Sequence, residues 1–313
     1  MTRGGARFTV RGMTNANADG VAPAVRTTGL TKRFGDRKAL DGVDLDVPRG
    51  VAFGFLGPNG AGKTTIIRLL LGLAWPSSGT MSLLGHSVGE DRRSALSRVG
   101  AVVEEPRFHP HLTGIENLEV NAAARGAATR ARIPAALDRV GLSARARERV
   151  SAYSLGMKQR LGIARCLLAD PELLILDEPM NGLDPAGMLE FRGLIRELVA
   201  EGRTVFLSSH MLDEVQRTCD FAAIVDRGRV ITQGPIDALS SSGRSIAFAS
   251  FVAMRPMATT ALMRTHDCGS RATSSSGASD SGEAIAPRAR TTYERVRRSG
   301  SVRRSSSLAR AGA

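Results

Sequence analysis

Gly57-Pro58-Asn59-Gly60-Ala61-Gly62-Lys63-Thr64 reads G-x-x-x-x-G-K-[ST], and its surroundings give that pattern meaning. Upstream, Val51 to Leu56 is a short apolar strand. Downstream, Ile66, Ile67, Leu70 and Leu71 recur at helical spacing from Lys63 onward. Strand, glycine-rich loop and helix, in that order, let successive backbone N–H groups turn inward on phosphate oxygens, and the helix N-terminus adds its partial positive charge. Lys63 is then placed to reach the β- and γ-phosphates of a nucleotide. The Thr64 hydroxyl is placed to ligate Mg²⁺, and Thr65 to bond the α-phosphate.

Further along, Leu173-Leu174-Ile175-Leu176 is a second buried strand, flanked by Pro171 and Pro179, that ends in Asp177-Glu178. An apolar strand that delivers acid beside a phosphate loop supplies a metal-binding carboxylate, Asp177, and a general base for water, Glu178. Gly187 to Ala200 is an amphipathic helix closed by Gly202, Thr204 to Leu207 a third strand, and Phe221–Val225 with Val230–Thr232 a hairpin around Asp226 and Gly228. Strands alternating with helices predict an α/β fold on a mostly parallel sheet. A helical insertion over about 106–165 separates the first strands from the later ones.

Five further features, in order, carry a family resemblance. Tyr153-Ser154-Leu155-Gly156-Met157, followed by Lys158-Gln159-Arg160, resembles the signature that ABC ATPases write L-S-G-G-Q. Asn181-Gly182-Leu183-Asp184 resembles their D-loop, His210 after Ser208-Ser209 their switch histidine, and Phe34 the aromatic residue that stacks on adenine. Glu104, after Val99-Gly100-Ala101-Val102-Val103, stands at their Q-loop position. The resemblance covers residues 26–240. Two positions depart from it: Leu155 where glycine is usual, and Glu104 where glutamine is usual. Both resemble the bacitracin- and daunorubicin-type drug-export branch, where Y-S-L-G-M-K-Q-R-L and E-E-P occur.

The resemblance implies a P-loop NTPase core with a small antiparallel β subdomain and a helical signature subdomain, and ATP with Mg²⁺ as ligands. The loop Gly57, Pro58, Asn59, Gly60, Ala61, Gly62, Lys63, Thr64, with Thr65 and Phe34, would hold one ATP. Ser154, Gly156 and Asp184 of a second copy would close over it in a head-to-tail homodimer. Lys63, Glu178 and His210 would be catalytic, and Thr64, Asp177 and Glu104 would surround the metal. A separate membrane-spanning permease would receive the force at the cytoplasmic face of the membrane, through the stretch from Glu104 to Asn117.

Charge and composition fit this reading. The 313 residues carry a formal +13, but residues 241–313 account for +8 and residues 1–25 for +2, leaving +3 on the middle. The basicity therefore sits at ends that are rich in Ser, Arg, Gly and Ala and read as disordered. The Arg of the tail are dispersed and barely interleaved with aromatics, so no specific nucleic acid is expected. Cys166, Cys219 and Cys268 form no C-x-x-C pair, and His86, His109 and His111 read as surface histidines. No apolar run approaches the roughly 18 residues of a spanning helix. The competing reading is a soluble ABC ATPase uncoupled from transport. Those usually carry two nucleotide domains or a long coiled-coil insertion, and this chain has one phosphate loop and no room for the coil.

Overall fold

The computed structural model describes residues 21–241. In chain order these form β1 (Val25–Phe34), β2 (Arg37–Val47), β3 (Ala52–Leu56), α1 (Lys63–Leu70), β4 (Ser78–Leu83), β5 (His86–Ser87), α2 (Arg92–Ser97) and β6 (Val99–Val102). A helical segment follows: α3 (Gly114–Ala123), α4 (Ala127–Ala131), α5 (Ile133–Arg139), 3₁₀ turns at Ser143–Arg145 and Val150–Ala152, and α6 (Leu155–Leu167). The chain returns through β7 (Leu173–Leu176), α7 (Pro185–Ala200), β8 (Thr204–Ser209), α8 (Leu212–Thr218), β9 (Phe221–Asp226), β10 (Arg229–Pro235) and α9 (Ile236–Ser241). The disorder expected of residues 1–20 and 242–313 lies outside the described residues, as does Cys268. Val25, assigned to the disordered end by sequence, instead opens β1 and is fully buried beside Ala24.

Two sheets share the work. One is antiparallel, in the order β2-β1-β4-β5. The other runs β10-β9-β3-β8-β7-β6, parallel throughout except for β10 at its edge. Buried on both faces, the central strands of the second sheet are continuous apolar runs rather than alternating ones. Their alternation shows instead in which core each side chain enters. Phe53 and Phe55 of β3, Leu173 and Ile175 of β7, and Phe206 of β8 pack with α1 and the antiparallel sheet. Ala52, Leu56, Leu174, Leu176, Val205 and Leu207 face α6, α7 and α8. Phe53 and Phe206 stack with ring centroids 5.8 Å apart. Each such buried ring contributes about 1.5–3 kcal/mol of transfer free energy.

This topology gathers the C-terminal ends of β3, β7 and β8 side by side, the edge where parallel sheets place their ligands. Leu56 pairs with Ser209 and Leu176 with Leu207, so Gly57 leaves β3 opposite His210 and Asp177 leaves β7 opposite Ser208.

Candidate nucleotide site

The loop after β3 is held by its own backbone. Gly57 N–H donates to the Ser209 carbonyl at 3.1 Å, Ala61 N–H to Pro58 O at 3.1 Å, and Gly228 N–H to Ala61 O at 3.0 Å. Two glycines are sterically required. A Cβ on Gly57 would stand 2.5 Å from Val225 O. Gly62 has φ +107° and would push a Cβ to 2.7 Å from Ala39 O, a conformation and an approach open only to glycine.

That same Gly62 begins α1 without a side-chain cap. By contrast α2, α3, α6 and α7 are capped by Asp91, Thr113, Ser154 and Asp184. α4, α5 and α8 also start without a side-chain cap, but among the described residues only at α1 does a glycine-rich loop lead into the helix, an arrangement whose first N–H groups and dipole suit an anion. Pro58, Asn59 and Gly60 are exposed at the loop's rim; Thr64 and Thr65 are half-buried behind it.

Lys63 is 5% exposed. Its ammonium donates to Gly57 O at 2.8 Å and Pro58 O at 3.2 Å, and pairs with Glu178 Oε1 at 3.0 Å. Burying a lysine this deeply is costly unless its charge is met and its donors are used, and here both conditions hold. Glu178 Oε2 in turn lies 2.5 Å from His210 Nδ1. The structure thus brings together Lys63, Glu178 and His210, which the sequence reading grouped. Asp177, 4% exposed, accepts from the Ser208 hydroxyl at 2.6 Å, and the same hydroxyl oxygen accepts from Glu178 N–H at 2.9 Å. Glu178 occupies the left-handed region at φ +48°, a strained position for a non-glycine residue. Ser208 is a residue whose role the sequence reading did not assign. Its signal was register: it follows Leu207, the partner of Leu176, and so stands opposite Asp177.

Hard oxygen donors, the Thr64 hydroxyl and the Asp177 carboxylate, suit Mg²⁺. Glu104, expected beside the metal, has a partner on α1. It is exposed, at φ +59°, and its Oε1 accepts from Arg68 Nη2 of α1 at 2.5 Å. Arg68 stands one helical turn beyond Thr64 on α1. Phe34 closes β1 and is exposed, with Lys32 Nζ 4.9 Å from its ring centre. Its hairpin reaches the phosphate loop through Arg37, whose Nη2 lies 3.8 Å from where a Cβ on Gly60 would be.

The remaining predicted residues lie elsewhere on the surface. Ser154 caps α6 by accepting from Met157 N–H at 3.2 Å, and Asp184 caps α7 by accepting from Gly187 N–H at 3.2 Å. The departures at the signature have structural partners. The Tyr153 hydroxyl donates to Arg145 O at 2.8 Å from a buried position, and burial raises its pKa. Leu155 packs toward Gly182 of the D-loop, where an added Cβ would meet its Cδ2 at 2.9 Å. His86, His109 and His111 are exposed, as expected.

The ABC transporter family matches residues 40–181. Bacitracin transport ATP-binding protein BcrA of Bacillus licheniformis is 46% identical over 221 residues, covering 70% of this chain and 72% of that protein. The chain belongs to the ABC transporter ATP-binding family. Daunorubicin resistance ATP-binding protein DrrA3 of Streptomyces coeruleorubidus is 42% identical over 223 residues, 70% of each chain. Both bear out the branch read from Tyr153–Leu161 and Glu104-Glu105-Pro106. Among solved structures, cbiO1 from Clostridium perfringens, part of the ABC transporter complex cbiONQ, aligns with TM-score 0.66 at 28% identity, over 73% of this chain and 95% of that one. As a member of this family the chain is an ATPase and an ATP-binding subunit of an ATP-driven transporter.

Proposed function

We propose that this chain powers the export of a drug-like or antibiotic compound, working as a pair of copies on the cytoplasmic side of a separate permease. The observation that carries the site assignment is the buried Lys63 ammonium, held by the phosphate-loop carbonyls and Glu178 at the uncapped start of α1. The export assignment is supported by the Tyr153–Leu161 signature and by the bacitracin and daunorubicin relatives. Among the described residues no helix is long and apolar enough to cross a membrane, which fits a spanning path in another chain.

In this reading the α1 N-terminal amides and Lys63 bind the phosphates of ATP, with Phe34 against the adenine. Lys63 leaves Glu178 as it takes up the γ-phosphate, which frees that carboxylate to accept a proton from water. His210, already against Glu178, orients it and donates to the developing charge on the phosphoryl oxygens. Mg²⁺, held by Thr64 and Asp177, would neutralise phosphate charge. Ser154, Gly156 and Asp184 of the second copy would complete the enclosure.

The test is Glu178→Gln. The amide still accepts from Lys63, so ATP binding is retained, while the proton acceptor is gone. Expected are loss of turnover by about a hundredfold or more and an ATP-dependent dimer on size-exclusion chromatography. Wild-type turnover in this variant would remove Glu178 as the base. The export half is tested separately. Co-expression with a permease that co-purifies with the chain should raise resistance to bacitracin or daunorubicin, and the Glu178→Gln chain should not. Unchanged sensitivity with active wild-type protein would leave the ATPase and refute this substrate class.

A further inference from the structure

Glu214 is the buried carboxylate of α8, and the site described above does not use it. It is 4% exposed, its Oε2 accepts from the Ser209 hydroxyl at 3.0 Å, and its Oε1 has no hydrogen-bond partner. Burial raises its pKa, while the Ser209 bond and the charges of His210 and Arg192 act the other way and Glu178 adds to the rise. The neighbouring helix holds a matching orphan: Arg192 of α7 is partly buried, and its Nε also lacks a partner.

The two residues share one interface. α7 packs on α8, and one turn farther along, Arg196 Nη2 donates to Arg217 O at 2.8 Å. Positions 192 and 196 share a face of α7, and 214 and 217 share a face of α8. Arg192 stands one turn before Arg196 on that face of α7, and its charge acts on the Glu214 carboxyl.

Ser209 is the hinge of the turn that presents His210. Its hydroxyl oxygen accepts from Met211 N–H at 3.0 Å while its proton goes to Glu214, and its carbonyl accepts from Gly57 N–H at 3.1 Å. Without Glu214 the hydroxyl proton has, among the described residues, only Met211 O, at a long 3.4 Å, as an acceptor. We infer that Glu214, acting through Ser209, is a positioning residue for His210, and that Arg192 supplies its countercharge. The inference rests on His210 being part of the ATPase site.

The experiment compares steady-state ATP turnover of the full chain for wild type, Glu214→Ala, Glu214→Gln, Ser209→Ala, Arg192→Met and His210→Ala, each checked by thermal melting. Glu214→Ala should lower kcat by about tenfold, with KM changed by less than about twofold, because the loss is one of geometry at the reacting end. Glu214→Gln should recover most of kcat, since its amide oxygen still accepts from Ser209. Arg192→Met should cost about threefold in the wild-type background and nothing beside Glu214→Gln, which has no charge to counter. In the His210→Ala background Glu214→Ala should add no further loss. If His210→Ala loses turnover while folded Glu214→Ala keeps wild-type kcat, the positioning role is refuted and the site stands. An equal loss from Glu214→Ala with and without His210 also refutes it. Full activity in His210→Ala removes the site assignment and this inference together. Should Glu214→Ala fail to fold, Ser209→Ala carries the same expectation, and unchanged kcat there overturns the inference.

Discussion

The phosphate end of the site and its signature end are built on opposite principles. At the phosphate end, Lys63, Asp177, Ser208 and Ser209 are buried, and their polar atoms are bonded to neighbours in this same chain. At the signature end, Ser154 and Asp184 are exposed, and each holds only its own helix start. In the first region a lysine and a carboxylate are so deep that their polar atoms must be met within the chain. The second is a pair of helix N-termini facing solvent, tied to each other through Leu155 against Gly182. A chain that completes half a site internally and displays the other half outward is suited to a second copy supplying the missing half.

The largest effect expected from breaking this contrast is at the buried end. Lys63→Ala removes the charge at the phosphate loop and also leaves Glu178 with His210 as its remaining partner. Isothermal titration with ATP should show affinity lowered by about a hundredfold or more, since a partly desolvated lysine–phosphate contact at an effective dielectric near 20 is worth several kcal/mol. Binding within about threefold of wild type would show that the α1 amides alone hold the nucleotide.

A smaller effect, and a directional one, is expected at the exposed end. Ser154→Arg places a large cation where a second copy's γ-phosphate environment would be. ATP affinity of the monomer should be unchanged, and turnover should fall by about tenfold or more. Mixing it with Lys63→Ala should give heterodimers in which one composite site is intact and the other carries both lesions. Partial recovery of turnover in the mixture supports sites shared between copies. Wild-type turnover in Ser154→Arg alone would mean that each copy hydrolyses ATP alone; no recovery in cross-linked heterodimers would refute a composite site that works independently of its twin.

How much of this was legible beforehand follows the same division. β3, α1 and β7 were readable to within a residue or two because fully buried strands and a strong helical face leave few alternatives. α7 starts at Pro185 rather than Gly187; an Asp cap followed by proline at the first helical position was an available signal. β8 runs on through Ser208 and Ser209, since their hydroxyls are satisfied by Asp177 and Glu214, partners that local sequence cannot name. The antiparallel sheet was implied by the resemblance, and its strands were not located by period. β1 and β2 carry Thr, Lys, Arg and Asp at several positions, and three register shifts interrupt their alternation. The grouping of Lys63, Glu178 and His210 was legible from motif order. The link through Ser209 to Glu214, and the pairing of Glu104 with Arg68, were not, because each depends on which neighbouring helix a side chain meets.

The smallest effect expected is at Glu104, the exposed partner of Arg68 on α1. With side chains 50% and 56% exposed, the Arg68–Glu104 pair lies in water and contributes about 0–1 kcal/mol at most. Its backbone holds the larger share of strain, since a left-handed conformation costs a non-glycine residue about 1–2 kcal/mol, and Glu104→Ala does not relieve that. If Glu104 serves only as the partner of Arg68, then Glu104→Ala, Glu104→Gln and Arg68→Ala should each change ATP turnover of the isolated chain by less than about threefold, and the Glu104/Arg68 double substitution should equal either single one. If instead Glu104 leaves Arg68 for the metal once ATP binds, the three separate. Glu104→Ala loses turnover by about tenfold or more through a lost oxygen donor, Glu104→Gln keeps most of it, and Arg68→Ala, by freeing the carboxylate, is as fast as wild type or faster. Titrating Mg²⁺ against turnover distinguishes the two cases without relying on absolute rates, because a lost metal ligand raises the Mg²⁺ concentration needed for half-maximal rate and a lost surface ion pair does not.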